Sequence, residues 1–315
     1  MINIAVLGYG TIGSGVIEVL KTNGESIAKR AGDQIHVKYI LDRKEFPGDP
    51  IMEKLVKDIN IILNDNDVKI VVEVMGGVEP AYSFVKSALL NGKSVITSNK
   101  ELVAKHGAEL LDIAKERDLN VLFEASVGGG IPIIRPLNQS LTADEIVEIT
   151  GILNGTTNYI LSKMSEEGLD FDTALKNAQD MGYAERDPSA DVEGHDACRK
   201  IAILSSLAYG MQVDYEDIYT EGITHITDID IKYAKALGAR IKLFATSVRE
   251  NDDHVYAMVA PMMIKATHPL FSVNDVFNGI FVRGNVIGDV MFYGSGAGKL
   301  PTASAVVADV VDAAK

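Results

Sequence analysis

The sequence predicts an α/β protein in which an open, doubly wound parallel sheet is followed by an α+β domain with a mixed or antiparallel sheet. Three observations predict it. Short apolar runs alternate with amphipathic stretches from the first residues to about residue 123. A glycine-rich turn, Gly8 to Gly13, joins the first apolar run to the first helix. After Gly128-Gly129-Gly130-Ile131-Pro132 the apolar runs lengthen and helices no longer separate them regularly, as in antiparallel sheets.

Residues 4–7 are all apolar and form a first strand, and the glycine turn opens a helix over residues 14–21. Residues 37–41, 70–75, 94–97 and 121–123 are further apolar or β-branched runs set off by Gly, Asp or Asn, and each is read as a strand. Pro80 stands where a helix begins and Gly92 just past its end, the placement that proline's fixed φ and glycine's freedom favour. Residues 101–117 supply the next helix. Beyond the glycine run, residues 146–153, 242–248, 255–260 and 280–286 are strands of the second sheet. Residues 302–314 form a last apolar-rich helix that returns to the first domain. The expected domains are residues 1–132, completed by about 295–315, and residues 133–294.

Composition narrows the function. The chain of 315 residues is 47% hydrophobic and 23% charged, enough apolar material for large cores and no signature of disorder. Lys and Arg number 30 against 44 Asp and Glu, a formal charge of −14 that opposes binding to nucleic acid or an acidic membrane surface. An anionic cofactor must then be held by backbone N–H groups and a few placed cations. The single cysteine, Cys198, cannot form an intramolecular disulfide, and the start MINIAVLGYG has neither a basic n-region nor a cleavage site, so the expected location is the cytoplasm. No apolar run approaches the roughly 20 residues that a membrane helix needs. The six histidines are scattered and Cys198 has no cysteine partner, so no transition-metal site is expected.

Gly8-Tyr9-Gly10-Thr11-Ile12-Gly13 follows a strand and opens a helix, the context in which G-x-G-x-x-G binds a dinucleotide. The first glycine permits the tight turn, the second lets a pyrophosphate approach the backbone, and the third lets helix and strand pack closely. The helix N-terminus then presents free N–H groups and its positive dipole end to the phosphates. The first domain is thus a Rossmann-type nucleotide-binding domain. Asp42 ends the second strand, where an acid binds the ribose diol of NAD, although its interval from the glycines exceeds the usual ~20 residues. Arg43 and Lys44 follow at once and suit the 2′-phosphate of NADP, while an ordinary solvated turn explains Lys44 equally well. The two signals conflict; the balance leans slightly to NADP, with some use of NAD.

The segment richest in chemistry runs from Gly182-Tyr183-Ala184-Glu185-Arg186-Asp187-Pro188 through Asp191, Glu193 and Asp196 to Lys200. Pro188 disfavours helix at Asp187, so Tyr183 to Ala190 is read as a loop. Asp191 is the expected N-cap of a helix that runs to about Tyr209 and stops near Gly210. On that helix Ala197, Ile201, Leu204 and Ala208 form one buried stripe. Lys200 lies beside the stripe, and Asp196 one turn earlier brings carboxylate and ammonium together in the favoured order. An exposed ion pair of this kind is usually of little consequence. Here the preceding loop places Glu185 and Asp187 within reach.

Several segments occur in the order seen in homoserine dehydrogenases: Thr97-Ser98-Asn99-Lys100-Glu101-Leu102, Gly128 to Pro132, Gly151-Ile152-Leu153-Asn154-Gly155-Thr156-Thr157-Asn158-Tyr159-Ile160, and Gly182 through Lys200. Gly294-Ser295-Gly296-Ala297-Gly298, then Pro301-Thr302-Ala303-Ser304-Ala305, is similar to the family's closing cofactor loop and final helix. The chain therefore resembles that family over nearly its whole length. The resemblance implies NAD(P)H-dependent reduction of aspartate semialdehyde to homoserine, on the route to threonine and methionine. It implies that Lys200 gives a proton to the carbonyl oxygen, that Lys100 is a second lysine near substrate and nicotinamide, and that Glu185 holds the substrate amino group. Asp191, Asp196, Gly155, Thr156 and Tyr183 would complete the substrate site, and Gly296 and Gly298 would join Gly8, Gly10, Thr11, Ile12, Gly13, Arg43, Lys44 and Lys100 at the cofactor. Glu124 with Val127, Gly129 and Ile131 resembles the family's monovalent-cation site, for a sodium ion, and a plain structural turn accounts for the same residues. The second domain would carry the substrate site, catalysis and a homodimer interface. Ser295 departs from the proline usual in the closing loop. The sequence ends at Lys315, so a short form without the regulatory extension of many relatives is expected.

The chemistry stands without the name. Reduction of an aldehyde leaves alkoxide charge on oxygen, which a nearby ammonium stabilises and then neutralises. A lysine with an ordinary pKa of about 10.4 is already protonated for reduction, whereas oxidation needs it deprotonated, so the oxidative direction should improve at alkaline pH. Glu185 suits the ammonium of a zwitterionic substrate, and the N–H groups and hydroxyls of Asn154 to Thr157 suit its carboxylate. Two other readings compete. Aspartate semialdehyde dehydrogenase shares the substrate but needs a nucleophilic cysteine, and Cys198 would have to serve. A nicotinamide-binding sensor would keep the first domain without catalysis, but has no evident need for Lys100, Glu185 and Lys200.

Overall fold

The computed structural model describes residues 1–251 and 254–315. The chain forms two compact units, Met1–Gly130 with Gly298–Lys315, and Ile131–Ala297.

In the first unit β1 (Ile2–Leu7), α1 (Thr11–Thr22), α2 (Gly24–Ala31), β2 (Ile35–Leu41), β3 (Leu55–Val56), α3 (Ile59–Leu63), β4 (Val68–Glu73), α4 (Ala81–Leu90), β5 (Ser94–Thr97), α5 (Lys100–Glu116) and β6 (Val121–Leu122) follow in turn. All pairings are parallel, in the order β3-β2-β1-β4-β5-β6. Helices cover both faces, which is why Ile4 to Leu7 and Ile70 to Val72 are apolar without alternation and fully buried. The strand order reverses between β1 and β4, and in such sheets the crevice beyond the carboxyl ends at that point takes the ligand.

The second unit holds β7 (Ile146–Ile152), α6 (Gly155–Glu167), α7 (Phe171–Asp180), α8 (Ser189–Val192), α9 (His195–Tyr209), β8 (Tyr219–Thr220), α10 (Asp228–Ala236), β9 (Ala239–Arg249), β10 (Val255–Lys265), β11 (Phe277–Gly284) and β12 (Gly288–Ser295). Its sheet runs β12-β11-β7-β9-β10-β8 and is mixed, with β8 parallel to β10 and the other pairs antiparallel. Ile152, Phe244, Ile264, Leu270, Val273 and Phe281 pack as one cluster. Finally α11 (Lys299–Ala313) belongs to the first unit, where Val306, Val307 and Val310 join its core. Gly15 on α1 sits so close to α11 that a Cβ there would lie 3.0 Å from the Ala303 Cβ.

Three details differ from the sequence expectation. The strand expected at 280–286 begins at Phe277 and ends at Gly284, and a further strand, β12, follows it. Glycines at 288 and 294 and the exposed Asp289 break the apolar run of β12, which lies at the sheet edge with half its side chains exposed. The strand expected at 255–260 continues through Pro261 to Lys265. On its far side β8 covers only Met258 and Val259, so position 261 lies at an edge, where proline is tolerated. Asp191 does not cap the long helix. It lies inside the one-turn α8, and α9 begins only after Gly194. Gly194 takes φ +84 and fits against Thr220 and Val259, a left-handed position that breaks one expected helix into two.

Candidate functional site

The glycine loop differentiates its three glycines. Gly8 has φ +99, and its N–H donates to Leu41 O at 2.8 Å, tying the loop to the end of β2. A Cβ on Gly13 would lie 2.0 Å from Gly8 O, so only glycine allows α1 to start this close to β1. Gly10 has nothing within 4 Å of a would-be Cβ, leaving the open approach that a pyrophosphate needs. Gly10 is the N-cap of α1 without a side-chain cap, and the first turn, which begins with Thr11 and Ile12, carries no acid. Uncapped N–H groups and the positive end of the helix dipole therefore point into that opening. These features fit a dinucleotide.

Asp42 faces the same loop. Its Oδ2 accepts the Tyr9 N–H at 2.8 Å and its Oδ1 the Lys44 N–H at 2.8 Å. Arg43 and Lys44 are exposed. Lys57, which no motif singled out, donates to the carbonyls of Arg43 (3.0 Å) and Lys44 (2.7 Å), so a third cation braces the turn. Lys100 is the first residue of α5, positioned by a buried network at the ends of β4 and β5. Thr97 Oγ1 donates to Glu73 Oε2 at 2.6 Å and accepts the Asn99 N–H at 2.9 Å, and Asn99 caps α5 through the Leu102 N–H. Glu73 is fully buried, and burial holds its carboxyl above the usual range against the bonds from Thr97, Met75, Gly76 and Asn99.

In the second unit Asn154 is the hub. Its Oδ1 caps α6 through the Thr157 N–H at 2.9 Å, and its Nδ2 donates to Asp191 Oδ1 (2.7 Å) and Asp196 Oδ2 (2.9 Å). Lys200 Nζ donates to Asp196 Oδ2 at 2.8 Å and to Leu153 O at 2.7 Å. Lys200 is 8% exposed and Asp196 2%, so the ion pair expected from their spacing is a buried one. Thr156 Oγ1 donates to Tyr183 O at 2.7 Å, joining the start of α6 to the loop that carries Tyr183 and Glu185. A Cβ on Gly155 would lie 2.7 Å from Val276 O, so glycine lets the helix start approach β11. Gly155, Thr156, Tyr183, Asp191, Asp196 and Lys200 are thus linked by Asn154 and α6. Glu185 is on the same loop, exposed, and held through its carbonyl by Gln179 Nε2 at 3.1 Å. Asn154 as bridge was not foreseen, although Asn with Thr three residues on at a helix start was visible.

Glu124 is 3% exposed, and its backbone N–H donates to Asp309 Oδ2 at 2.8 Å. Val127 and Gly129 follow in the first unit, while Ile131 opens the second. Gly296 packs against Asn278, whose Nδ2 would lie 2.1 Å from a Cβ, and Gly298 takes φ +117 at the start of α11. Among the described residues no group of three or more His, Cys, Asp or Glu is placed to hold a metal ion. Cys198 is buried, its Sγ donates to Tyr215 O at 3.3 Å, and burial raises its thiol pKa, the opposite of what a thiolate nucleophile needs. No helix among the described residues is long and apolar enough to cross a membrane.

Two family models match the chain on either side of the glycine run, the second extending into α11. Residues 8–124 match the family model for the homoserine dehydrogenase NAD-binding domain, and residues 132–311 the homoserine dehydrogenase model. A homoserine dehydrogenase of Synechocystis is 49% identical over 99% of this chain and 73% of its own length. The crystal structure of a homoserine dehydrogenase from Thiobacillus denitrificans superposes with a TM-score of 0.95 at 43% identity, over 99% of this chain and 73% of that one. A hyperthermophilic archaeal homoserine dehydrogenase, solved in complex with NADPH, gives 0.84 at 29% identity, over 99% and 97%. The chain belongs to the homoserine dehydrogenase family, NAD(P)-dependent oxidoreductases that act on a CH–OH group.

Proposed function

We propose that this homoserine dehydrogenase uses Lys200 as the proton donor to the carbonyl oxygen of aspartate semialdehyde, and that NADP is its preferred cofactor. One observation carries the catalytic assignment: a buried lysine ammonium is fixed at one point by Asp196 and Leu153 O, beside the glycine start of a helix. When bound, the reduced nicotinamide supplies the hydride. Lys200 stabilises the negative charge that develops on the oxygen and passes it a proton, and Asp196 keeps the ammonium oriented. Oxidation of homoserine needs the reverse transfer, to a neutral lysine, and so gains from alkaline pH.

The other assignments extend this reading. Glu185 takes the substrate ammonium, and Gly155 and Thr156 at the start of α6 take its carboxylate, with Tyr183, Asp191 and Asp196 shaping the pocket. Lys100 serves substrate and nicotinamide. Gly8, Gly10, Thr11, Ile12 and Gly13, with Gly296 and Gly298, hold the cofactor, and Arg43 and Lys44 take the 2′-phosphate. A sodium ion at Glu124, Val127, Gly129 and Ile131 belongs to the same proposal, supported by the burial of the Glu124 side chain. So does a homodimer through the second sheet, where Met262, Met263, Met291 and Tyr293 are exposed, and so does a cytoplasmic location. The test is homoserine oxidation with NAD and with NADP by wild type and Lys200→Ala. The expected result is faster turnover with NADP, and loss of turnover in the variant with cofactor binding retained. A variant as active as wild type would end the assignment of Lys200.

A further inference from the structure

Tyr9 occupies the position between the first two glycines of the cofactor loop, where G-x-G-x-x-G makes no demand on the residue. In this protein it is the point at which the segment after β2 is fastened. The Tyr9 N–H donates to Asp42 Oδ2 at 2.8 Å, where that segment begins. The Tyr9 ring meets Phe46 edge to face, with centroids 4.9 Å apart and planes at 80°. The Tyr9 hydroxyl donates to Asp49 Oδ2 at 3.1 Å, and Asp49 Oδ1 in turn accepts the Ile51 N–H at 3.0 Å. Burial and the neighbouring Asp49 raise the phenol pKa, so the hydroxyl keeps its proton and remains a donor. Start, middle and end of the segment thus rest on one residue of the glycine loop.

That segment carries Arg43 and Lys44, with the Lys57 ammonium under their carbonyls. The pyrophosphate of a dinucleotide lies on the glycine loop and its adenosine ribose near the end of the second strand. The offset between the loop and the two cations therefore decides whether a 2′-phosphate meets them when the pyrophosphate is seated. We propose that Tyr9 is a specificity-determining positioning residue that holds this offset and so sets the preference for NADP over NAD. The inference rests on the reading of Arg43 and Lys44 as the 2′-phosphate site. An unfastened segment would have to be ordered at the moment of binding, a cost that falls on the ligand that uses its cations. NAD, without the phosphate, is spared most of it.

The experiment compares kcat and KM for NADP and NAD in wild type, Tyr9→Phe, Tyr9→Ala and the double variant Arg43→Ala/Lys44→Ala, with binding of adenosine 2′,5′-bisphosphate and adenosine 5′-monophosphate measured by calorimetry. Tyr9→Ala is expected to lower the NADP-to-NAD ratio of kcat/KM about tenfold, mainly through KM for NADP, and to weaken the bisphosphate more than the monophosphate. Tyr9→Phe keeps the ring contact and loses the bond to Asp49, so about a threefold fall is expected. A ratio unchanged in both Tyr9 variants, or in Tyr9→Phe alone where Tyr9→Ala does not fold, while the double variant loses its preference, overturns the role of Tyr9. A ratio unchanged in the double variant overturns the cation reading, and with it the inference.

Discussion

Lys242 makes the stability of the second unit depend on pH in a direction unusual for a lysine. It lies on β9, 1% exposed, and its Nζ donates to Asn158 Oδ1 (2.9 Å), Val273 O (2.6 Å) and Asn274 Oδ1 (2.9 Å). None of these acceptors carries a charge. Burial, reinforced by Arg240 and opposed by Glu166 and Asp275, lowers its pKa from 10.5 to about 7. Between those two values the unfolded chain holds the proton and the folded chain has released it, so stability rises with pH through that window. From pH 6 to pH 9 about 2 pH units of it are crossed, at about 1.36 kcal/mol each, or roughly 2.7 kcal/mol in favour of the folded state. Urea unfolding of wild type and Lys242→Met at both pH values isolates the effect, because changes elsewhere are common to the two proteins. The gap between them should shift by about that amount toward wild type on going to pH 9. Parallel pH dependences would refute the reasoning. Asn158 lies one turn beyond Asn154 on α6, so Lys242 touches the helix whose start forms the candidate substrate site.

Three further outcomes follow from the contacts. Gly13→Ala places a Cβ 2.0 Å from Gly8 O and must open the loop, so KM should rise about tenfold for both NADP and NAD; unchanged KM would sink the proposed cofactor role of the turn. Asn154→Ala removes a helix cap, about 1 kcal/mol by unfolding, and leaves Asp191 and Asp196 without their shared donor. A fall of about 10- to 100-fold in kcat/KM for homoserine is expected alongside, and lost stability with intact kinetics would contradict the site. Cys198→Ser should leave turnover within about twofold of wild type in a steady-state assay, since its buried thiol is engaged with Tyr215 O and Thr220 and burial holds it protonated. Abolished turnover in a folded Cys198→Ser protein would revive the thioester alternative.

Much of this was legible in the amino-acid sequence because it depends on neighbours along the chain. The parallel sheet announced itself in runs such as Ile4 to Leu7, since strands buried on both faces favour apolar residues without alternation. The glycine loop was legible because Gly8 and Gly13 answer local backbone demands and recur at fixed spacing with Gly10, and Asp196 with Lys200 because four residues bring two side chains together on any helix. The break at Gly194 was not, because Gly194 takes its left-handed turn packed against Thr220 and Val259, which would lie only 3.2 Å from a Cβ, and those residues are distant in sequence.

The sequence by itself therefore determined which residues are candidates for the chemistry and most of the elements that bear them, since propensity and spacing act over a few residues. Tertiary structure alone decided what surrounds those residues. Folding buried the Asp196–Lys200 pair, made Asn154 the bridge between two carboxylates, and fastened the Arg43 segment to Tyr9. Each of these contacts joins positions more than thirty residues apart or depends on exclusion of water, and no local pattern encodes either.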